Sequence, residues 1–223
     1  MHPECGIKEK VFSVFIVDDD SGVLKALSRL LRTSGYEVMP FSSPKAFLDQ
    51  HDPMAPGCAI FDLAMPGLDG LQLQLMLLEQ GMSRSVIFLS GQGDISVSVR
   101  AMKNGAVDFL TKPVDRDSLL DAVARARARE EEAGRAREER HVAESRLSNL
   151  TPREREVLTH VVAGRLNKQI AGNLGIVEKT IKVHRGRMME KMGVRTVAEL
   201  VRLADKAGVE PFANPLPPAV HYP

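Results

Sequence analysis

The chain has 223 residues, 43% of them hydrophobic and 26% charged, which suits a soluble globular protein of one or two domains with cores of their own. Two cysteines, Cys5 and Cys58, cannot supply a disulfide framework, and a reducing cytoplasm is the expected setting. No basic-then-apolar leader opens the chain and no apolar run approaches the roughly 20 residues of a membrane span, so neither secretion nor membrane insertion is expected. The net charge of +1 hides an asymmetry: residues 1–124 carry −5, residues 125–149 carry +1, and residues 150–223 carry +5. An acidic part followed by a basic one suggests a metal- or phosphate-handling region joined to a polyanion-binding region.

In chain order, short apolar or β-branched runs alternate with helical patterns. Val11–Val17 reads as a strand, and Val23–Thr33 as a helix stopped by Gly35. Tyr36–Phe41 (strand), Pro44–Leu48 (helix), Cys58–Leu63 (strand) and Leu71–Glu79 (helix closed by Gly81) follow. Val86–Ser90 is a fourth strand, Ile95–Lys103 a helix closed by Asn104-Gly105, and Ala106–Leu110 a fifth strand. Five strand–helix alternations predict a doubly wound, five-stranded parallel α/β sheet over residues 11–125.

Residues 117–148 read as one long helix that begins apolar (Leu119, Leu120, Val123) and becomes almost wholly Ala, Arg and Glu, with Gly134 its weak point. Charges of both signs at helical spacing support it by i,i+4 pairing. It reads either as a spacer with dimer contacts or as a solvated linker. Residues 149–208 then predict four helices, about 153–163, 167–174, 178–192 and 196–207. The first opens on Thr151 as N-cap, Pro152 at the first helical position and Glu154 in the first turn. Residues 209–223 form a proline-rich tail.

The chemistry collects at strand ends. Asp18, Asp19 and Asp20 follow the first strand, Asp62 ends the third, Ser90 the fourth, and Lys112 follows the fifth. In a parallel sheet these converge on one edge. Crowded carboxylates need a cation, and hard oxygen donors without thiolate or imidazole favour Mg2+. A carboxylate such as Asp62 can then attack phosphorus and form an acyl phosphate, while Lys112 and the Ser90 hydroxyl neutralise the phosphoryl oxygens. Asp20 has two readings, pocket ligand or helix cap, and Asp69-Gly70 reads as turn chemistry. The sequence leaves the isomer of the Lys112-Pro113 peptide open.

Ile16-Val17-Asp18-Asp19-Asp20, Phe61-Asp62-Leu63-Ala64-Met65-Pro66-Gly67, Leu89-Ser90-Gly91 and Phe109-Leu110-Thr111-Lys112-Pro113 resemble the signature stretches of bacterial response-regulator receivers. The resemblance implies Asp62 as phosphoacceptor and Asp18, Asp19, Asp62 and the Ala64 carbonyl as the metal pocket. It also implies Ser90 and Lys112 at the phosphoryl group. Mg2+ is the implied ion, with Mn2+ or Ca2+ as substitutes in the same site. Phe109 takes the place of the switch aromatic; lacking a hydroxyl, it can switch only through burial.

In the basic part, Leu166–Gly175, a brief turn and Lys179–Met192 have the helix-turn-helix layout, whose second helix enters the major groove. Ile181, Met188 and Met192 fall on one face of that helix, and Lys179, Lys182, Val183 and Gly186 on another. Leu150–Leu158, Asn167–Ala171 and Thr180–His184 resemble the four-helix LuxR-type DNA-binding domain, and the two-part architecture resembles the FixJ/NarL class of transcriptional regulators. That resemblance implies Lys182 and Val183 as base readers, Lys179, Thr180, His184 and Arg187 near phosphates, and dimer contacts on the last helix. For His184, packing beside Ile181 is an equal reading. Gly186 cannot read a base, which points to close backbone approach or to relaxed specificity.

The expected function is a cytoplasmic, phosphorylation-regulated transcription factor. Its expected partners are a sensor histidine kinase, double-stranded DNA and, on phosphorylation, a second copy, with no membrane. No enzymatic activity is expected beyond autocatalytic acceptance on Asp62. An aspartate-nucleophile phosphohydrolase, or a constitutive DNA-binding protein with a scaffold receiver, are the competing readings.

Overall fold

A computed structural model describes residues 11–82, 84–91 and 95–213. The chain divides into two compact units at Gly134–Arg135. Cys5 and residues 214–223 of the proline-rich tail lie outside the described residues.

The first unit is built on five parallel strands: β1 (Ser13–Val17), β2 (Glu37–Phe41), β3 (Gly57–Asp62), β4 (Ser85–Ser90) and β5 (Asp108–Thr111). Their spatial order is β2-β1-β3-β4-β5. Between them run α1 (Ser21–Thr33), α2 (Pro44–Gln50), α3 (Gly70–Glu79) and α4 (Ile95–Lys103). Because successive strand residues point to opposite faces, β1 sends Phe15 and Val17 into one core and Val14 and Ile16 into the other. β3 and β4 divide in the same way: Phe61 and Phe88 join the first core, Ile60 and Ile87 the second. Both faces are therefore covered, which is why the strands read as continuous apolar runs.

The fifth helix, α5 (Arg116–Ser148), is unbroken. Its apolar start seals the second sheet face with Leu119, Ala122, Val123 and Ala126. Farther on, Arg127–Glu131 (2.9 Å) and Arg140–Glu144 (2.7 Å) are the i,i+4 pairs expected from the charge pattern.

The second unit contains α6 (Pro152–Val162), α7 (Asn167–Leu174), α8 (Glu178–Met192) and α9 (Val197–Lys206) around Val157, Leu158, Ile170, Ile181, Met188, Met192 and Leu200. Thr151 and Glu154 form a reciprocal capping box at the start of α6, and Thr196 and Glu199 form another at α9. The end of α5 belongs to this unit: Arg146 donates to the Met192 carbonyl (3.0 Å) and Glu139 pairs with Lys206 (2.6 Å).

Candidate functional site

The sheet order reverses direction between β1 and β3, and a parallel sheet opens a crevice at the carboxyl end of such a switch point. Asp18 leaves β1 and Asp62 ends β3, so the topology itself puts them side by side. Asp18, Asp19 and Asp62 can each offer a carboxylate oxygen, all within 4.8 Å of one another. Asp18 and Asp62 are buried and Asp19 is exposed.

Lys112 reaches into this group from beyond β5. Its Nζ lies 2.7 Å from Asp18 Oδ2 and 3.1 Å from Asp62 Oδ1. The Lys112 backbone N–H donates to the Ser90 carbonyl (2.7 Å), extending the β4–β5 pairing by one residue, and the Lys112-Pro113 peptide is cis. Burial pushes the Asp62 carboxyl above its ordinary range; Lys112 opposes that shift and Asp18 adds to it. For Lys112, burial disfavours the charge, but the hydrogen bonds it donates to Asp18 and Asp62 outweigh that and hold the ammonium above its usual range.

Ser90, at the end of β4, is buried, and the Ala64 backbone hydrogen-bonds the Asp62 carboxylate. Phe109 is partly buried against the first sheet core.

Asp20 resolves to the capping reading. Its Oδ1 accepts from Gly22 N–H (2.7 Å) and Val23 N–H (3.2 Å), holding the start of α1. Asp69 caps α3 in a reciprocal box with Gln72. Gly70 carries more than turn chemistry: a Cβ there would sit 2.4 Å from the Asp62 carbonyl oxygen. The first residue of α3 thus passes against the backbone of Asp62, a proximity that a Gly in a loop pattern does not disclose.

In the second unit, Ile181, Met188 and Met192 are fully buried, as their spacing predicts. Lys179, Lys182, Val183, Gly186 and Arg187 are exposed on α8, whereas Thr180 and His184 are half-buried. Lys182 pairs loosely with Glu178 (3.4 Å) on the exposed surface, where such a pair adds little stability. Beyond its chain neighbours and the backbone of its own helix, no described atom lies within 4 Å of a Cβ placed on Gly186, so packing in the domain does not demand glycine there. Lys191, which flanks the basic face, is committed inward instead: its Nζ lies 2.7 Å from the buried Glu154 carboxylate. Arg185 donates to Asn167 Oδ1 (3.0 Å) and ties the start of α7 to α8. These two cross-helix links carry no sequence signal, because each joins residues distant in the chain.

An acidic strand-edge pocket bridged by a lysine, followed in the chain by a helix-turn-helix with a basic outer face, has the layout of a receiver domain followed by a DNA-binding domain. Residues 14–124 match the response regulator receiver domain family, and residues 148–204 match the luxR family of bacterial regulatory proteins. The chain belongs to the response regulators that join a receiver to a LuxR-type DNA-binding domain, a class of transcriptional regulators.

Its relatives include the transcriptional regulatory protein FixJ of Azorhizobium caulinodans, 41% identical with 92% of this chain and 97% of that one covered. Nodulation protein W of Bradyrhizobium diazoefficiens is 40% identical over 88% of this chain and 86% of its own. Among solved structures, the response regulator StyR superposes with a TM-score of 0.77 at 43% identity, over 87% of this chain and 98% of that one. Full-length FixJ from B. japonicum gives 0.54 at 37% identity, over 88% and 97%. No described helix is long and apolar enough to cross a membrane.

Proposed function

We propose that this cytoplasmic regulator accepts a phosphoryl group on Asp62 from a partner histidine kinase, and that the modification promotes dimerisation and promoter binding. The observation that carries the reading is the Lys112 bridge to both Asp18 and Asp62. It places a fixed cation against the nucleophile and against the acidic pocket at once.

In the proposed reaction an Asp62 carboxylate oxygen attacks phosphorus and forms the O–P bond as the P–N bond to the kinase histidine breaks. Lys112 Nζ meets one phosphoryl oxygen and the Ser90 hydroxyl donates to another. The all-oxygen donor set fits a hard divalent cation: Asp18, Asp19, Asp62 and the Ala64 carbonyl would hold Mg2+, with Mn2+ or Ca2+ able to occupy the same ligands. When bound, the ion supplies positive charge against the phosphoryl oxygens, acting on Asp62 in the same direction as Lys112. Acceptance is single and self-catalysed, so the chain is not a turnover enzyme.

Phosphorylation adds about −1.5 to −2 charge at Asp62. Lys112 and Ser90 are drawn toward it, and the loops after β4 and β5 move with them, together with Phe109. The adjoining α4 exposes Ile95, Val99 and Met102, with Ile95 at 78% exposure, an apolar face suited to a second copy. A dimer sets two α8 helices about one DNA turn apart, with Lys182 and Val183 at base edges and Lys179, Thr180, His184 and Arg187 toward phosphates.

DNA footprinting on genomic fragments, with and without acetyl phosphate, tests the proposal. Protection that strengthens on phosphorylation and is lost in Asp62→Asn is the expected result; unchanged dimerisation and protection in Asp62→Asn would refute it.

A further inference from the structure

Away from the phosphoacceptor edge, a groove of about 590 Å³ runs along α1 against β2. Lys25, Arg29 and Arg32 line one side, at i, i+4 and i+7, which places them on one helical face over about 10 Å. No carboxylate lines the groove. Lys25 and Arg29 have neither a hydrogen bond nor an ion pair among the described residues, and Arg32 spends one donor on the Val38 carbonyl (3.0 Å). Leu24 and Pro40 add apolar surface, and Ser21, Thr33 and Ser42 add hydroxyls. Ser28, also in the wall, is 5% exposed and its Oγ has no hydrogen-bond partner.

Unpaired cations with no compensating acid attract an anion, and three in a row favour one with more than a single negative charge. The Ser28 hydroxyl is itself closed off from solvent, so the hydroxyls that can meet a ligand are those of Ser21, Thr33 and Ser42, which are exposed on the groove wall. Apolar surface beside the cations suits a flat ring, and the flanking hydroxyls suit a sugar or the polar edge of a base. The volume lies within the ordinary range of small-molecule sites. We propose that this groove binds a nucleoside phosphate, its phosphates along Lys25, Arg29 and Arg32 and its base against Leu24 and Pro40. The site uses none of Asp18, Asp19, Asp62 or Lys112, so it stands apart from phosphoryl acceptance.

The full chain would be titrated with ADP, adenosine and inorganic pyrophosphate in Mg2+-free buffer, followed by calorimetry and by NMR shifts of α1 amides. ADP should saturate, perturb α1, and bind at least about tenfold more tightly than either adenosine or pyrophosphate, a gap of about 1.4 kcal/mol. Lys25→Ala/Arg29→Ala should weaken ADP by at least the same factor while still accepting phosphate from acetyl phosphate, which shows that it is folded. Lys25→Arg should keep ADP binding, and Asp62→Asn should leave it unchanged. Pyrophosphate binding as tightly as ADP would mean an adventitious anion only. That result, absence of saturation, or full binding in the double variant would each overturn the proposal.

Discussion

The Lys112 ammonium sits between two carboxylates, 2.7 Å from Asp18 Oδ2 and 3.1 Å from Asp62 Oδ1, with Asp18 fully buried. One cation therefore offsets two neighbouring anions that would otherwise repel each other in a poorly solvated crevice. Lys112→Ala should cost about 2–3 kcal/mol of receiver stability in Mg2+-free urea unfolding, because it leaves buried charge unpaired. Adding Asp62→Asn to that variant should restore part of the loss by removing the repulsion. Additive losses in the double-mutant cycle would show that the two carboxylates do not share the lysine.

Glu154 and Lys191 form a second pair of this kind in the DNA-binding unit. The Lys191 hydrogen bond, followed by the Thr151 backbone bond, holds the Glu154 carboxyl down to about 2. A depressed carboxyl contributes stability that is fully present above its unfolded value near 4.5 and is lost as pH falls through 2. Lys191→Ala should destabilise the unit by about 2 kcal/mol at pH 7 and shift its acid unfolding to higher pH, seen by circular dichroism. Identical acid transitions would contradict the pairing.

Gly70 and Gly186 should respond oppositely to alanine. A methyl at Gly70 meets the Asp62 carbonyl oxygen at 2.4 Å, so Gly70→Ala should cost about 1–3 kcal/mol and slow acetyl-phosphate labelling of Asp62. A methyl at Gly186 meets nothing within 4 Å beyond its own helix on an exposed face, so Gly186→Ala should stabilise the chain by about 0.5–1 kcal/mol. Thermal unfolding of both variants separates the two signs.

His160 is buried and stacked on Phe212 at a centroid distance of 4.0 Å, with the Arg165 guanidinium 5.1 Å from the same ring. Phe212 is held there by its N–H bond to the Thr159 carbonyl (3.0 Å). Burial, then the Arg165 charge, lowers the His160 pKa below 6.5. The unfolded chain therefore takes up the proton first, and stability falls as pH drops below 6.5 until the lower folded value is reached. Melting temperatures between pH 7.5 and 5 should show this loss in the native chain and a weaker one in His160→Phe. Equal slopes would rule out His160 as the source.

Local pattern made much of this protein legible. Alternating apolar runs and helical periods placed each strand and helix of the described residues to within about two residues. β5 drifted most: its observed start at Asp108 leaves Ala106, a predicted strand residue, packed in the core before the strand begins. The strand-end acids and Lys112 were also legible, because a parallel topology converts their order along the chain into proximity. Asp20 was ambiguous, since the same carboxylate one residue beyond Asp19 can face a pocket or turn back to bond Gly22 and Val23.

The sequence by itself determined the two-part architecture, the acidic edge and the basic, apolar-backed α8, because periodicity, capping and charge act over a few residues. Only the tertiary structure decided that Lys112 bridges Asp18 and Asp62, that Gly70 must be bare beside Asp62, and that Lys191 turns inward to Glu154. Each of those depends on atoms brought together from distant parts of the chain, where burial and the resulting loss of solvent screening set which charges pair.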